Sequence, residues 1–353
     1  MFFASDNAGP AHPQIIDALQ GANEGYAAPY GSDRASESLR DVVRALFEAP
    51  EAAVYLVATG TAANALILGT LTRPFETVFC APEAHIQQDE CNAPEFYTGG
   101  AKLTLVPGRD AKIGAAELRA AISAEENRGV HGPQRGPVSI TQVTERGTLY
   151  SLEEIRAVTE VAGGFGLSVH MDGARLANAV VALGCTPAQI TWKAGIDAVS
   201  FGGTKNGCLG VEAVIFFDPK HAREFELRRK RGAHLFSKNR FLAAQMLAYL
   251  RDDLWLDSAR AANAAAARLA RGLRQMPQVH LLHEPQANMI FASWPRAIHQ
   301  RLQDAGAHYE LWEGSLEAGD PDEPLTARLV CDWSASDANT DRFLALFRDQ
   351  GSA

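Results

Sequence analysis

The sequence predicts an α/β protein with a mostly parallel central sheet and a small α+β domain at its C-terminal end. Three observations carry that prediction. Short apolar segments alternate with helical ones from about residue 54 to about residue 217, and such alternation builds a parallel sheet covered by helices. The residues able to do chemistry fall where those strands end, the edge at which open α/β sheets bind ligands. Beyond Pro219 the texture changes, first to helices and then to strands separated by helices. The boundary is placed at residue 250, giving a large domain over 1–250 and a small one over 251–353, with 1–34 as an N-terminal arm.

Taken in order, residues 1–34 are irregular and rich in turn-forming residues, with a short helix at Gln14–Gln20. Leu39, Val42, Val43, Leu46 and Phe47 recur at helical spacing over Ala35–Phe47. Val54–Val57 is a strand that runs through Thr59-Gly60-Thr61 into a helix ending near Leu71. Free N–H groups at that helix start, with the positive end of its dipole, outline a phosphate site, although a capped helix start looks the same. Thr77–Cys80 and Lys102–Val106 read as strands, Ala115–Glu125 as a helix, and the stretch to residue 136 as an exposed loop. Val138–Val143 is a strand leading to Glu145, and Ser151-Leu152-Glu153-Glu154 is a capping box. Strands ending at Asp172 and before Lys205 follow, then one at Glu212–Phe217. In the last third, strands are expected at Val279–His283, Met289–Ser293 and Arg328–Asp332, and helices at 219–231, 237–253, Ser258–Leu273, Pro295–Asp304 and Asn339–Arg348.

Composition bounds the function. The chain has 353 residues, 46% of them hydrophobic and 21% charged, with a net charge of −9. That is the profile of a soluble globular protein and a poor partner for nucleic acid or an anionic membrane. Five cysteines are scattered without CxxC spacing, which argues against zinc and against a disulfide framework and fits a reducing cytoplasm; nothing in the sequence supports a metal requirement. The N-terminus lacks a signal-peptide pattern, and no apolar run reaches membrane-spanning length. No G-x-G-x-x-G follows the first strand, which weakens a nicotinamide-binding reading.

The stretch Val199-Ser200-Phe201-Gly202-Gly203-Thr204-Lys205-Asn206-Gly207 presents one lysine just past a strand end. Lysine is seldom buried without a partner, and one held in a Gly-rich turn can form a Schiff base with a carbonyl. Its partner lies in His170-Met171-Asp172-Gly173-Ala174-Arg175, where Asp172 ends another strand. A Schiff-base lysine together with a carboxylate under a pyridinium nitrogen is the requirement of pyridoxal 5'-phosphate.

With Gly60-Thr61, His85, Asp172-Gly173-Ala174-Arg175 and Lys205 in this order, and with Ser5-Asp6 and Tyr30-Gly31 before them, nearly the whole chain resembles the threonine aldolase family. The resemblance is to its low-specificity (phenylserine aldolase) branch. It implies a pyridoxal-phosphate-dependent transferase fold of the aspartate-aminotransferase-like type (fold type I), and retro-aldol cleavage of β-hydroxy-α-amino acids to glycine and an aldehyde. By this resemblance Lys205 holds the cofactor, Asp172 pairs with its ring nitrogen, His85 stacks on its face, and Gly60 and Thr61 hold its phosphate. Arg175 is expected near the cofactor's phenolic oxygen and the substrate, with Ser5 and Arg328 at the substrate carboxylate. Tyr30, and Lys230 or Lys238, are expected to reach in from a neighbouring subunit of a homo-oligomer, a dimer of dimers.

The sequence departs from the family in two places. Many members carry a histidine, thought to assist proton transfer, where this chain has Glu145. Either Glu145 substitutes for it, or His85 and water carry the proton. An arginine that binds phosphate in many members corresponds to Ser237, which directs attention to the nearby lysines. The residues around the ring discriminate aldol cleavage poorly from β-elimination, racemisation or transamination, and a non-catalytic sensor built on the same fold is a third reading.

Overall fold

The computed structural model describes residues 1–348, which divide into two units: Ala11–Trp255, and Met1–Pro10 joined by the chain from Leu256 onward. The larger unit holds nine strands. They are β1 (Ala53–Val57), β2 (Glu76–Cys80), β3 (Lys102–Leu105), β4 (Gly108–Arg109), β5 (Lys112–Ile113), β6 (Gln134–Thr141), β7 (Val169–Gly173), β8 (Ala198–Gly202) and β9 (Glu212–Phe216). The short β4 and β5 pair with each other as a ribbon, and the other seven form one sheet in the order β1-β9-β8-β7-β6-β2-β3. Only β9 runs against its neighbours, so the carboxyl ends of β6, β7 and β8 lie side by side. Every residue of β7, β8 and β9 is buried, as expected of strands covered on both faces.

One helix matters most for the site. Gly60–Leu71 is capped by Thr59, whose hydroxyl accepts the Ala62 N–H at 3.2 Å. It is buried from Ala62 through Thr70, and within that apolar run stands one amide, Asn64.

The smaller unit is built on a four-stranded antiparallel sheet of β10 (His280–Leu281), β11 (Met289–Pro295), β12 (Glu310–Glu313) and β13 (Pro324–Val330). Their order is β10-β11-β13-β12. Trp294, Phe343, Phe347 and Leu302 fill its core beside Ala266, Leu269 and Leu273, which lie on the helix Leu254–Leu273. The N-terminal residues belong here too: Phe3 is buried in this core, and Phe2 bridges to His308.

The structure differs from the sequence reading in several elements. β6 starts at Gln134, inside the stretch expected to be a loop, and its pairing with β2 shifts register between Thr77 and Phe79. Gly136 and Pro137 occupy that irregularity, which is where a sheet tolerates residues that otherwise interrupt it. β12 and the β4–β5 ribbon have no counterpart in the sequence reading. Both are short and largely exposed, so they lack the apolar alternation that marks a half-buried strand.

Candidate active site

Lys205, Asp172, His85, Glu145, Arg175 and Gly60 line one small pocket in the larger unit, together with Asn64, Thr141, Val143 and Ala174. Each is put there by local structure. After β8, a Cβ at Gly202 would run into the Ala174 carbonyl oxygen, and one at Gly203 would lie 2.8 Å from the Val211 carbonyl oxygen. Only glycine permits this close approach. The Gly203 N–H donates to the buried Glu212 carboxylate at 2.8 Å, and Tyr249 donates to the Gly202 carbonyl at 3.2 Å. The chain is thereby pinned into the short turn Thr204–Asn206 that carries Lys205.

Glu145 sits on the loop after β6. The Gln142 side chain acts as an extra rung across that loop, donating to the Tyr150 carbonyl at 2.9 Å and accepting the Tyr150 N–H at 3.0 Å. Glu145 Oε1 then accepts two bonds, from the His85 N–H and from the Thr141 hydroxyl, each at 2.8 Å. Its other oxygen is buried with no hydrogen-bond partner among the described residues. Burial pushes this carboxyl up to about 7, although both bonds oppose the rise.

Asp172 closes β7. Its Oδ1 accepts the Ala174 N–H at 2.9 Å, and its Oδ2 accepts from Asn64 Nδ2 at 2.7 Å. Burial alone would raise its pKa; His85, Lys205 and the Ala174 bond outweigh burial and hold the carboxyl below its usual range. Asn64 Nδ2 donates a second time, to Glu90 Oε1 at 2.9 Å, and the same oxygen bonds His85 Nδ1 at 2.8 Å. That bond raises the His85 pKa, with Asp172 adding to it and burial opposing. Ligating atoms of His85, Glu90 and Asp172 lie within 4.8 Å of one another, a spacing that a cation could bridge. The Asn64 amide occupies that role between the two carboxylates.

The remaining expected residues fall elsewhere. Thr61 follows Gly60 in the first turn of its helix. Tyr30 and Lys230 line a separate cavity of about 730 Å3 in the same unit, with the Lys230 ammonium 5.0 Å from the Tyr30 ring centroid. Lys238 is exposed and lines neither of these cavities. Ser5 and Arg328 belong to the smaller unit, where Arg328 donates to the Ala4 carbonyl at 3.2 Å, one residue from Ser5. Sequence reasoning missed Asn64, Glu90 and Ser200 as members of the polar network. Asn64 did carry a signal, as a lone amide inside the apolar run Ala62–Leu68.

A pocket at the carboxyl edge of a mostly parallel sheet, holding a lysine and an ionised buried carboxylate, defines an enzyme of the α/β class with a covalently held carbonyl cofactor or substrate. The comparisons make the class specific. Residues 3–294 match the beta-eliminating lyase family. The low specificity L-threonine aldolase of Pseudomonas sp. (strain NCIMB 10558) is 38% identical over 99% of this chain and 98% of its own. That of Pseudomonas aeruginosa is 38% identical over 98% and 96%. The solved threonine aldolase of Leishmania major superposes with a TM-score of 0.91 at 26% identity, covering 98% of each chain. Serine palmitoyltransferase from Sphingomonas wittichii, at 16% identity and a TM-score of 0.72, shares the fold alone. The chain belongs to the beta-eliminating lyase family, in its threonine aldolase branch.

Proposed function

We propose that the protein is a pyridoxal-phosphate-dependent low-specificity L-threonine aldolase. It cleaves L-threonine, L-allo-threonine and related β-hydroxy-α-amino acids such as phenylserine to glycine and an aldehyde. The observation that carries the reading is the convergence of Lys205, Asp172, His85 and Glu145 on one pocket, in a chain 38% identical to such aldolases along nearly its full length.

The residues suit the cofactor. Asp172 is a buried carboxylate held ionised, as a partner for a pyridinium N–H must be. A Cβ at Gly60 would meet nothing within 4 Å, which leaves open space at a helix N-terminus where a phosphate belongs. Pyridoxal phosphate, when bound, supplies an electron sink for a bond broken at the amino-acid Cα.

Lys205 would hold the cofactor through Nζ, and Asp172 would keep its ring nitrogen protonated. His85 would pack on the ring face, while Gly60 and Thr61 would take the phosphate. Arg175 would serve the phenolic side, and Ser5 with Arg328 would bind the substrate carboxylate, the contact that selects which Cα bond is broken. Glu145 would accept the β-hydroxyl proton as the aldehyde departs, through the carboxylate oxygen that has no partner among the described residues. Its carboxyl, raised by burial to about 7, suits a base working near neutrality.

Tyr30, with Lys230 or Lys238, would complete a neighbouring subunit's site in a cytoplasmic homotetramer organised as a dimer of dimers. A large cofactor domain over 1–250 and a small domain over 251–353 complete the reading. No helix among the described residues is long and apolar enough to cross a membrane.

The test is a product assay on the cofactor-loaded protein with L-threonine and with phenylserine. Equal amounts of glycine and aldehyde are expected. A 2-oxo acid and ammonia in their place would move the protein to elimination chemistry.

A further inference from the structure

We infer that Glu90, anchored by Asn64, is a positioning residue for His85: it confines the imidazole proton to Nδ1, offers Nε2 alone to the pocket, and stabilises the charged ring. The inference rests on the proposed cofactor reading and extends it to residues with no assigned role.

The chain of contacts starts at Asn64, which is 1% exposed. Its Oδ1 accepts from the Ser200 hydroxyl at 2.8 Å, while Ser200 Oγ itself faces the Gly173 N–H at 3.3 Å. The two carboxylates at the other end of the amide fix its orientation, which leaves Oδ1 to take the serine proton. Turned over, Asn64 would set its carbonyl against two carboxylates. In the observed orientation its two N–H groups serve Asp172 and Glu90, so the amide's donors are fully used.

Glu90 is thus held with one oxygen shared between Asn64 and His85. The Glu90 side chain is fully buried, whereas His85 is about a third exposed. Burial raises the Glu90 carboxyl, while its bonds to His85 and Asn64 oppose the rise; as an ionised carboxylate it only accepts, which places a proton on His85 Nδ1. Three charged groups act on the ring: Glu90 from the turn beyond His85, Asp172 from the end of β7, and Lys205 from the turn after β8; Glu145 meets the backbone N–H of His85, not its ring. Two are carboxylates, and together with the Glu90 bond they raise the His85 pKa against burial and Lys205. The more of the ring that carries its second proton, the more His85 acts as an acid and a positive charge in the pocket and the less as a base. This arrangement leaves the hydroxyl proton to Glu145.

The experiment is a pH titration of the cofactor-loaded, full-length protein carrying 15N-labelled histidine, with His85 identified by the signals lost in His85→Asn. Nδ1 is expected to carry a proton in both charge states. Glu90→Gln keeps an acceptor but removes the charge, and should lower the His85 midpoint by about one pH unit or more while the visible band of bound pyridoxal phosphate persists. An unmoved midpoint in Glu90→Gln would overturn the inference. So would a wild-type spectrum in which neutral His85 is bare at Nδ1, an outcome that needs no variant. Failure of the functional reading is separate: it would appear as no visible band and no glycine formation by the wild-type protein, whatever the histidine spectrum.

Discussion

Two histidines in this chain illustrate how an environment sets a role. His85 meets a carboxylate through Nδ1, and its pKa rises. His299, in the smaller unit, has Nδ1 against the Tyr309 hydroxyl at 2.9 Å and Nε2 against the Leu325 carbonyl at 3.0 Å. Its ring stacks on Trp294 with centroids 4.4 Å apart. A carbonyl can only accept, so Nε2 carries the proton and Tyr309 donates to Nδ1. The neutral ring is fully satisfied, and burial drives its pKa down to about 4. His170 is a third case: it is fully buried, bonded to Ser139 at 3.0 Å, and also lowered to about 4. Desolvation works against the charged form in all three. The partner decides whether a histidine works as a charged group or as a polar piece of core.

The largest effects should come from the side of this comparison that does chemistry. Lys205→Ala should abolish both cleavage and the borohydride-sensitive visible band, because no other lysine among the described residues lines the pocket. His85→Asn should lower kcat by about 10²–10⁴-fold, the usual worth of a positioned proton-transfer or charge-stabilising group, and should leave the band in place. A His85→Asn enzyme with unchanged kcat would make His85 as inert as His299 and would erase the distinction.

A second test separates the two acids beside His85. Glu145 acts as a base only when ionised, and its pKa is raised to about 7. The rate should therefore climb as pH rises through about 7 and level off above it. Glu145→Gln should remove that limb and cost roughly 10²–10⁴-fold in rate. A limb that survives the substitution would assign the titration, and the base, to another group.

How much of this was legible in the sequence follows from where each residue sits. Lys205 and Asp172 could be found because each lies at or just past the end of an apolar strand, and adjacent parallel strands bring their carboxyl ends together. Neither fact requires knowledge of distant side chains. Asn64, Glu90 and Ser200 lie on a helix, a turn and a strand interior, with no periodicity linking them. Their association exists only after the helix Gly60–Leu71 packs over the sheet. The strand β12 was hidden for the opposite reason. Only four residues long, it is polar at both ends and pairs with β13 alone. A site built from strand ends can be read in one dimension, whereas one built from buried polar contacts must be seen folded.

The smallest predicted effect concerns stability and belongs to His299. Its folded pKa of about 4 lies below the ordinary histidine value of 6.5, so the unfolded chain takes up a proton first as pH falls. Its contribution is flat above pH 6.5 and is lost progressively between 6.5 and 4. With about 1.36 kcal/mol for each pH unit that separates the folded and unfolded values, the loss is on the order of 3 kcal/mol. His299→Gln should flatten part of the decline in unfolding free energy over that window, at the cost of weaker packing against Trp294 at every pH. His170 shares the same window, so the variant should remove only a portion of the slope. A denaturant series at pH 7, 6, 5 and 4 measures it directly. An unchanged slope would mean that His299 titrates normally, and burial with neutral partners would then not separate it from His85.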